Sequence, residues 1–445
     1  MIDEGKALEL LETALSLSRA DQAEVVIFSA DSALTRFSNN RIHQNVAEST
    51  IRVSVRSIKD KRAGYSSTNK IDRGSIEDIM KRSLEIAKRR PPDPDFVSLP
   101  GRYTYPTGVA YCEETAAATP EDRAKAVAEI ADIASGAGLS AAGAYSTSGN
   151  LIAIGNTLGV RAVTRLTDAS LKVVVMGKDS SGYASALSKR VSDIDAGKVA
   201  SIAVEKALRG ARPIDLEPGR YHVVLAPEAV ADMVASLAYA GFSALAVQEG
   251  RSFMAGKFGQ RIADERISIW DDALDPRTIG MPFDFEGVPK RKVKLIDKGV
   301  AAGVVYDSYT AGREGKSSTG HALPAPNPYG PLPTNLFMAV GDKPASEMIA
   351  ALDRGIFVTR FHYTNLEDPL KTVLTGMTRD GTFLIEGGEL EAGIKNLRFT
   401  QSILEALQRV EDVSAENELV DSMLGPALVP YLEIREFNFT GATLF

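Results

Sequence analysis

"YHVVLAPEAVADMVASLAYAGF" (221–242) marks a change in the character of the chain. A β-branched run leads through Pro227 into small apolar residues, the pattern of a strand feeding a helix with proline in its first turn. From Ala229 onward the only side chains with polar atoms are Asp232, Ser236 and Tyr239. The Gly-rich, basic "EGRSFMAGKFGQR" (249–261) follows. A helix at the mouth of such a loop is a common place for chemistry, yet this one is nearly bare.

Upstream, the pattern is helix, strands, helix, repeated. Residues 3–18 place Leu8, Leu11, Leu15 and Leu17 among polar residues, an amphipathic helix. Residues 24–30, 33–40, 41–58 and 61–68 read as an antiparallel meander with breaks at Asp/Ser, Asn39-Asn40 and Lys-Asp. A helix over 75–90 is expected to begin at Ser75, with Asp78 completing a capping box. "RRPPDPDFVSLPG" (89–101) reads as a linker. A second unit opens with Thr119 as N-cap and Pro120 at the first helical position, carries four strand-like runs, and closes with a helix over about 195–209.

Downstream of 219 the pattern is mixed. Strands are expected at 221–226, 267–270, 292–297, 300–306, 335–340, 356–361, 382–386 and 430–437, with a helix at 403–411. The expected fold class is α+β, with antiparallel and mixed sheets and packed helices. Three units are expected: an N-terminal α/β domain (1–95), a central β-meander with flanking helices (110–214) and a larger β-rich C-terminal domain (219–445). The Gly/Pro-rich stretch 310–334 is long for a structureless loop, which points to function or disorder.

Composition narrows the class. The chain has 445 residues and carries 51 basic against 58 acidic side chains, a net charge of −7 that argues against nucleic acid as a direct partner. Cys112 is the single cysteine, so no internal disulfide forms. The amphipathic, acidic start lacks the pattern of a signal peptide, and no apolar run reaches about 18 residues. A soluble cytoplasmic protein is the expectation.

Self-contained catalytic motifs do not emerge. His43, His222, His321 and His362 have neither a histidine nor an acid four residues away, so none forms a helical zinc pair. No G-x-S-x-G elbow occurs. Cys112 reads as a small apolar residue, and Trp270 as a core anchor. "TAGREGKSS" (310–318) ends like a phosphate-binding loop, but Thr310 replaces the first glycine and no helix-forming sequence follows, which leaves a flexible basic loop.

The ordered set "LTRFSNNRIHQNVAES", "RAGYSSTNKID", "FMAGKFGQRI", "YDSYTAGREGKSSTGHA", "PTNLFMAVGD", "GIFVTRF", "FLIEGGE" and "LEIREFNFTG" resembles the TldD/PmbA family (modulator of DNA gyrase), on its PmbA (TldE) branch. The resemblance runs from about residue 20 to 441. It implies a metallopeptidase-type family in which TldD-type subunits carry His-Glu-x-x-x-His before a GKxGQ segment and a further cysteine ligand near the C-terminus. PmbA-type subunits lack both and pair with them in a heterodimer that trims flexible peptides, including modified-peptide precursors and an antitoxin. Counting back from "AGKFGQR", the zinc-motif slot falls on Ala235–Ala240, with Ala235, Ser236 and Ala240 at its ligand-type positions. The cysteine slot falls near "DSMLG" (421–425).

The resulting expectation is a non-catalytic, substrate-holding subunit with no catalytic or metal residues of its own, zinc being held by a TldD-like partner. Arg313, Glu314, His321 and Asn335 are the candidate polar groups facing substrate or partner. Two alternatives stand beside it. The chain is a peptidase with a non-standard metal site at His321 or His362, or it is a stand-alone homodimeric peptide-binding protein.

Overall fold

The computed structural model describes residues 1–106 and 110–443. The last two residues of the expected third unit lie outside them.

Helix α1 (Glu4–Ser16) precedes β1 (Gln22–Ser38), β2 (Arg41–Lys59), β3 (Arg62–Thr68) and helix α2 (Arg73–Arg89). Helices α3 (Glu113–Ala116) and α4 (Pro120–Gly136) follow, then β4 (Ser140–Asn156), β5 (Arg161–Met176), β6 (Ser181–Ser188) and helix α5 (Ala196–Arg209). The two halves form one six-stranded sheet, ordered β3-β2-β1-β4-β5-β6 and antiparallel at every pairing. β1 and β4 join them, so the segment between the first two expected units does not separate two sheets.

Left-handed Asn39 and Asn40 make the β1–β2 turn, and left-handed Asp60 and Lys61 the next. The runs 24–30 and 33–40 are one strand rather than two, because β1 is paired along both edges and so continues through Asp31-Ser32. For the same reason the four runs of the central unit are three strands. Thr119 caps α4 as expected, and with Asp122 it forms a capping box. α2 instead starts earlier: the Asp72 carboxylate accepts from Ser75 N–H at 2.9 Å and displaces Ser75 as cap.

Alternation along the strands sets one face against helices. Ala23, Val25, Ile27, Val53 and Val55 pack on α1 and α2; Ala169, Leu171, Val173 and Val175 pack on α4 and α5. On the opposite face, Ile152 and Ile154 meet Phe283 of the C-terminal region, and further along it Ser146, Asp168, Ser170 and Lys172 line a more polar hollow.

The C-terminal region runs β7 (Gly219–Leu225), α6 (Pro227–Gly241), α7 (Ala244–Gln248), β8 (Ile269–Asp271), β9 (Val293–Asp297), β10 (Val300–Ala301), α8 (Ser308–Arg313), β11 (Leu336–Met338) and α9 (Ala345–Ala350). It closes with β12 (Arg354–Asp368), β13 (Val373–Glu386), β14 (Glu389–Gly393), β15 (Leu397–Ser402), α10 (Ile403–Leu407), β16 (Val410–Ser422) and β17 (Gly425–Ala442). The path β7-β12-β13-β15-β17 returns to β7, a closed five-stranded barrel with no free edge along that circuit. α6 packs on it, and its apolar residues join the largest core cluster. Among the described residues no helix is long and apolar enough to cross a membrane.

Candidate functional site

The bare helix is built to be buried. Ala229, Val230, Met233, Val234, Leu237 and Ala238 of α6 sit in the barrel core. Ala235 is fully buried, and Ser236 and Ala240 nearly so. Ser236 Oγ donates to Asp232 O at 2.7 Å, a bond within the helix. A Cβ on Gly241 would lie 2.3 Å from the Phe253 ring, so the "SFMAG" segment lies directly on the helix end. Tyr239 alone stays exposed, its ring tilted against Tyr329 at 6.2 Å between centroids. Here a cleft of about 550 Å³ opens, lined by residues including Tyr239, Ala240, Arg251, Tyr329 and Leu370.

Zinc requires imidazole, thiolate or carboxylate ligands at about 2.0–2.3 Å. The slot supplies the methyls of Ala235 and Ala240 and a Ser236 hydroxyl committed to a helix carbonyl. These residues do not fit a zinc ion. Asp232, one turn earlier, has its carboxyl pushed up to about 7 by burial, with Arg360 opposing and Glu228 reinforcing the rise.

The start of the 310–334 stretch, expected as a flexible basic loop over 310–318, is partly helical. It opens in α8, capped by Asp307, whose carboxylate accepts Thr310 N–H at 2.7 Å. This helix precedes Gly315-Lys316-Ser317 instead of following it, so the phosphate-loop likeness has no structural counterpart. Beyond it, two buried carboxylates from other segments hold the chain. Asp271, at the end of β8, accepts from His321 Nε2–H at 2.8 Å and from Asn335 N–H at 2.7 Å. Asp284 accepts Ala322 N–H, and also Glu286 and Val288 N–H, each at 2.9 Å.

His321 is almost fully buried, and burial, with Lys290 nearby, pushes its pKa down. The neutral ring donates from Nε2 and accepts at Nδ1 from Thr319 Oγ1 at 2.9 Å. Burial pulls the Asp271 carboxyl up, but His321, Lys290 and the Asn335 N–H outweigh it and hold the group below its ordinary value. Asn335 Nδ2 donates to Thr278 Oγ1 and Ile279 O.

The four candidate polar groups therefore divide. His321 and Asn335 meet through Asp271, behind a cavity of about 350 Å³ between the sheet and the loop. Arg313 and Glu314 lie elsewhere, at the end of α8. Arg313 pairs with Asp95 of the linker at 3.4 Å. Glu314 accepts from Gln248, Tyr306 and Lys316; partial burial raises its pKa, and these partners more than reverse the rise. Leu332 lines both the 350 Å³ cavity and the Tyr239 cleft, so the loop is the wall between them.

The remaining histidines are scattered. His43 is exposed on β2, His222 Nε2 lies 2.9 Å from Glu433, and His362 sits on β12 near Arg379 and Arg360. Among the described residues no three His, Cys, Asp or Glu side chains are placed to hold a metal ion. The "DSMLG" stretch is the β16–β17 turn, and Leu424 and Gly425 face the 350 Å³ cavity, not the Tyr239 cleft. Asp271 and Asp284 escape sequence reasoning because their partners lie up to 64 residues away.

Three family models cover most of the chain. They are described as PmbA/TldA metallopeptidase domain 1 (residues 23–87), central domain (99–211) and C-terminal domain (218–441). The chain belongs to the TldD/PmbA family. Among curated relatives, "Uncharacterized protein MJ0231" of Methanocaldococcus jannaschii is 28% identical over 61% of this chain and 63% of that protein. A "Metalloprotease TldD homolog" of Haemophilus influenzae is 26% identical over 38% of this chain and 35% of its own length. The match thus spans less than two thirds of these relatives. The crystal structure of TldE from Thermococcus kodakarensis shares the fold, with a TM-score of 0.89 at 22% identity over 98% of this chain and 100% of that one.

Proposed function

We propose that this member of the TldD/PmbA family is the non-catalytic, substrate-holding subunit of a TldD/TldE-like zinc metallopeptidase complex acting on flexible peptides in the cytoplasm. One observation carries the reading. At the slot where the resemblance puts zinc ligands, Ala235 and Ser236 are packed into the core, while Ala240 forms part of the wall of an open 550 Å³ cleft. A cleft kept without ligands suits holding a peptide while a partner bearing His-Glu-x-x-x-His supplies the metal and its activated water. Tyr239, Tyr329 and Leu370 provide apolar surface for an extended chain, and Arg251 a cation at its rim. The loop carrying His321 and Asn335 walls the cleft, and Arg313 and Glu314, at the end of α8, remain candidates to face substrate or partner.

The test is to purify this chain alone and together with a TldD-type partner from the same genome. Native mass measurement is expected to give a heterodimer, and zinc-dependent peptide cleavage only from the mixture. Cleavage by the chain alone, lost on chelation, overturns the proposal. A homodimer that binds peptide but ignores the partner returns the stand-alone reading.

A further inference from the structure

A second cavity, of about 560 Å³, shares no lining residue with the Tyr239 cleft and lies between the β5–β6 turn of the N-terminal sheet and strands β12 to β14 of the C-terminal region. Four cationic side chains line it, Lys178, Arg360, Arg379 and Lys395, against the carboxylates Asp179 and Asp380. This is the reverse of the whole chain, which carries a net charge of −7. The local excess is therefore a feature of the site and not of the composition.

The partners within the cavity show which charges are spent. Arg360 Nε and Nη2 both donate to Asp380 Oδ2, the first at 2.9 Å, and Ser181 Oγ donates to Asp380 Oδ1 at 2.6 Å. Lys395 is paired with Asp215 at 2.9 Å. Arg379 is left with a loose approach to Asp380, 3.9 Å, and Lys178 makes no ion pair among the described residues. One more group awaits a partner: Thr382 is a residue of the cavity wall, and its buried Oγ1, like that of Thr359 beside it, has no hydrogen-bond partner among the described residues. Buried hydroxyls are ordinarily satisfied, so an unmatched one at a cavity wall points to a missing acceptor or donor.

The backbone is arranged for this placement. β12 and β13 are out of step between Val358 and Arg360, where β13 holds one extra residue. The bulge falls at Asp380-Gly381, both left-handed, and a Cβ on Gly381 would meet Thr359 Oγ1 at 2.6 Å. Bulges of this kind re-aim side chains at functional sites.

We propose that this cavity binds a small ligand through an oxyanion, a carboxylate or phosphate group, with Arg379 and Lys178 as its charge partners and the Thr382 hydroxyl as a directional donor. Arg guanidinium and a hydroxyl donor together suit the spread oxygens of such a group. His362, at the cavity wall, reports the same field: burial first, then Arg379 and Arg360, disfavour its protonated form. The inference does not depend on the subunit role proposed above.

Calorimetric titration of the full chain tests it, with inorganic phosphate as one probe and N-acetyl-dialanine, as free acid and as C-terminal amide, as the other. One-to-one binding of phosphate identifies a free anion as the source. Tighter binding of the acid than of its amide identifies a peptide terminus. In either case Arg379→Met, Lys178→Met and Thr382→Val are each expected to weaken binding about tenfold. Thr382→Val removes an unsatisfied buried hydroxyl, so its melting temperature should hold or rise while affinity falls, which a merely structural role would not produce. Lys178 lies at an exposed turn, so its variant folds whatever happens to Arg379→Met. The inference is overturned if neither phosphate nor the acid form binds, or if binding survives all three substitutions undiminished.

Discussion

Helix α6 and the stretch from Tyr306 to Asn335 are both held in place, and by opposite means. α6 is held by apolar side chains at helical spacing, packed on the barrel strands that flank it in space. The loop has few such residues and is held by polar groups whose acceptors, Asp271 and Asp284, come from other segments. Apolar packing is diffuse and tolerates exchange of similar volumes, whereas a buried carboxylate with several donors fails as a unit. The helix is thus robust but chemically silent, and the loop exact in placement but dependent on single residues.

The comparison breaks most easily at Asp271. Asp271→Ala strands His321 Nε2–H and Asn335 N–H together and is expected to cost about 2–6 kcal/mol, about 1–3 for each buried donor left unpaired. Urea denaturation followed through the adjacent Trp270, the chain's single tryptophan, reads both the loss and any loosening of the loop. A variant as stable as the parent would show that the loop is held by something else. On the helix, Ala235→Leu should cost about 1–3 kcal/mol by overpacking a fully buried position, measured the same way. A tolerated leucine would mean that the slot has room, and would weaken the contrast.

A smaller effect separates charge from packing on α6. Asp232 holds its proton more tightly folded, at about 7, than at its ordinary value of 3.8. The contribution of this group to stability is therefore fullest below about pH 4, falls as pH rises to about 7, and is level beyond. Asp232→Asn should remove that slope and, because the group keeps some solvent contact, add roughly 1–2 kcal/mol at pH 8. Melting temperatures across pH 4–8 check the sign; an unchanged slope assigns it to other groups. Least affected is Arg313→Ala, whose 3.4 Å pair with Asp95 is partly exposed. It should cost under about 1 kcal/mol, while any large loss of partner association in native mass measurement would give Arg313 a role beyond stability.

Much of the fold could be read from local pattern. The Asn39-Asn40 and Asp60-Lys61 turns, the Thr119–Pro120 helix start and the strand-to-helix passage at Pro227 all rest on neighbours within a few residues. Strands β14, β15 and β16 were not legible: their boundaries are set by pairing with β13 and β17. Function or disorder could not be told apart for the long loop, because Gly and Pro signal turns but carry no trace of the acceptors, Asp271 and Asp284, that hold it.

For the candidate site the division is the same. The sequence by itself determined that Ala235, Ser236 and Ala240 cannot ligate zinc, because ligand chemistry belongs to residue type and needs no coordinates. Only the tertiary structure decided that Ala235 and Ser236 are buried while Ala240 walls an open cleft, that His321 and Asn335 meet on Asp271, and that Arg379, Lys178 and Thr382 line one cavity. Those arrangements arise from pairing and packing across tens to hundreds of residues. Their stabilities depend on burial and distance, quantities that exist only once the chain has closed on itself.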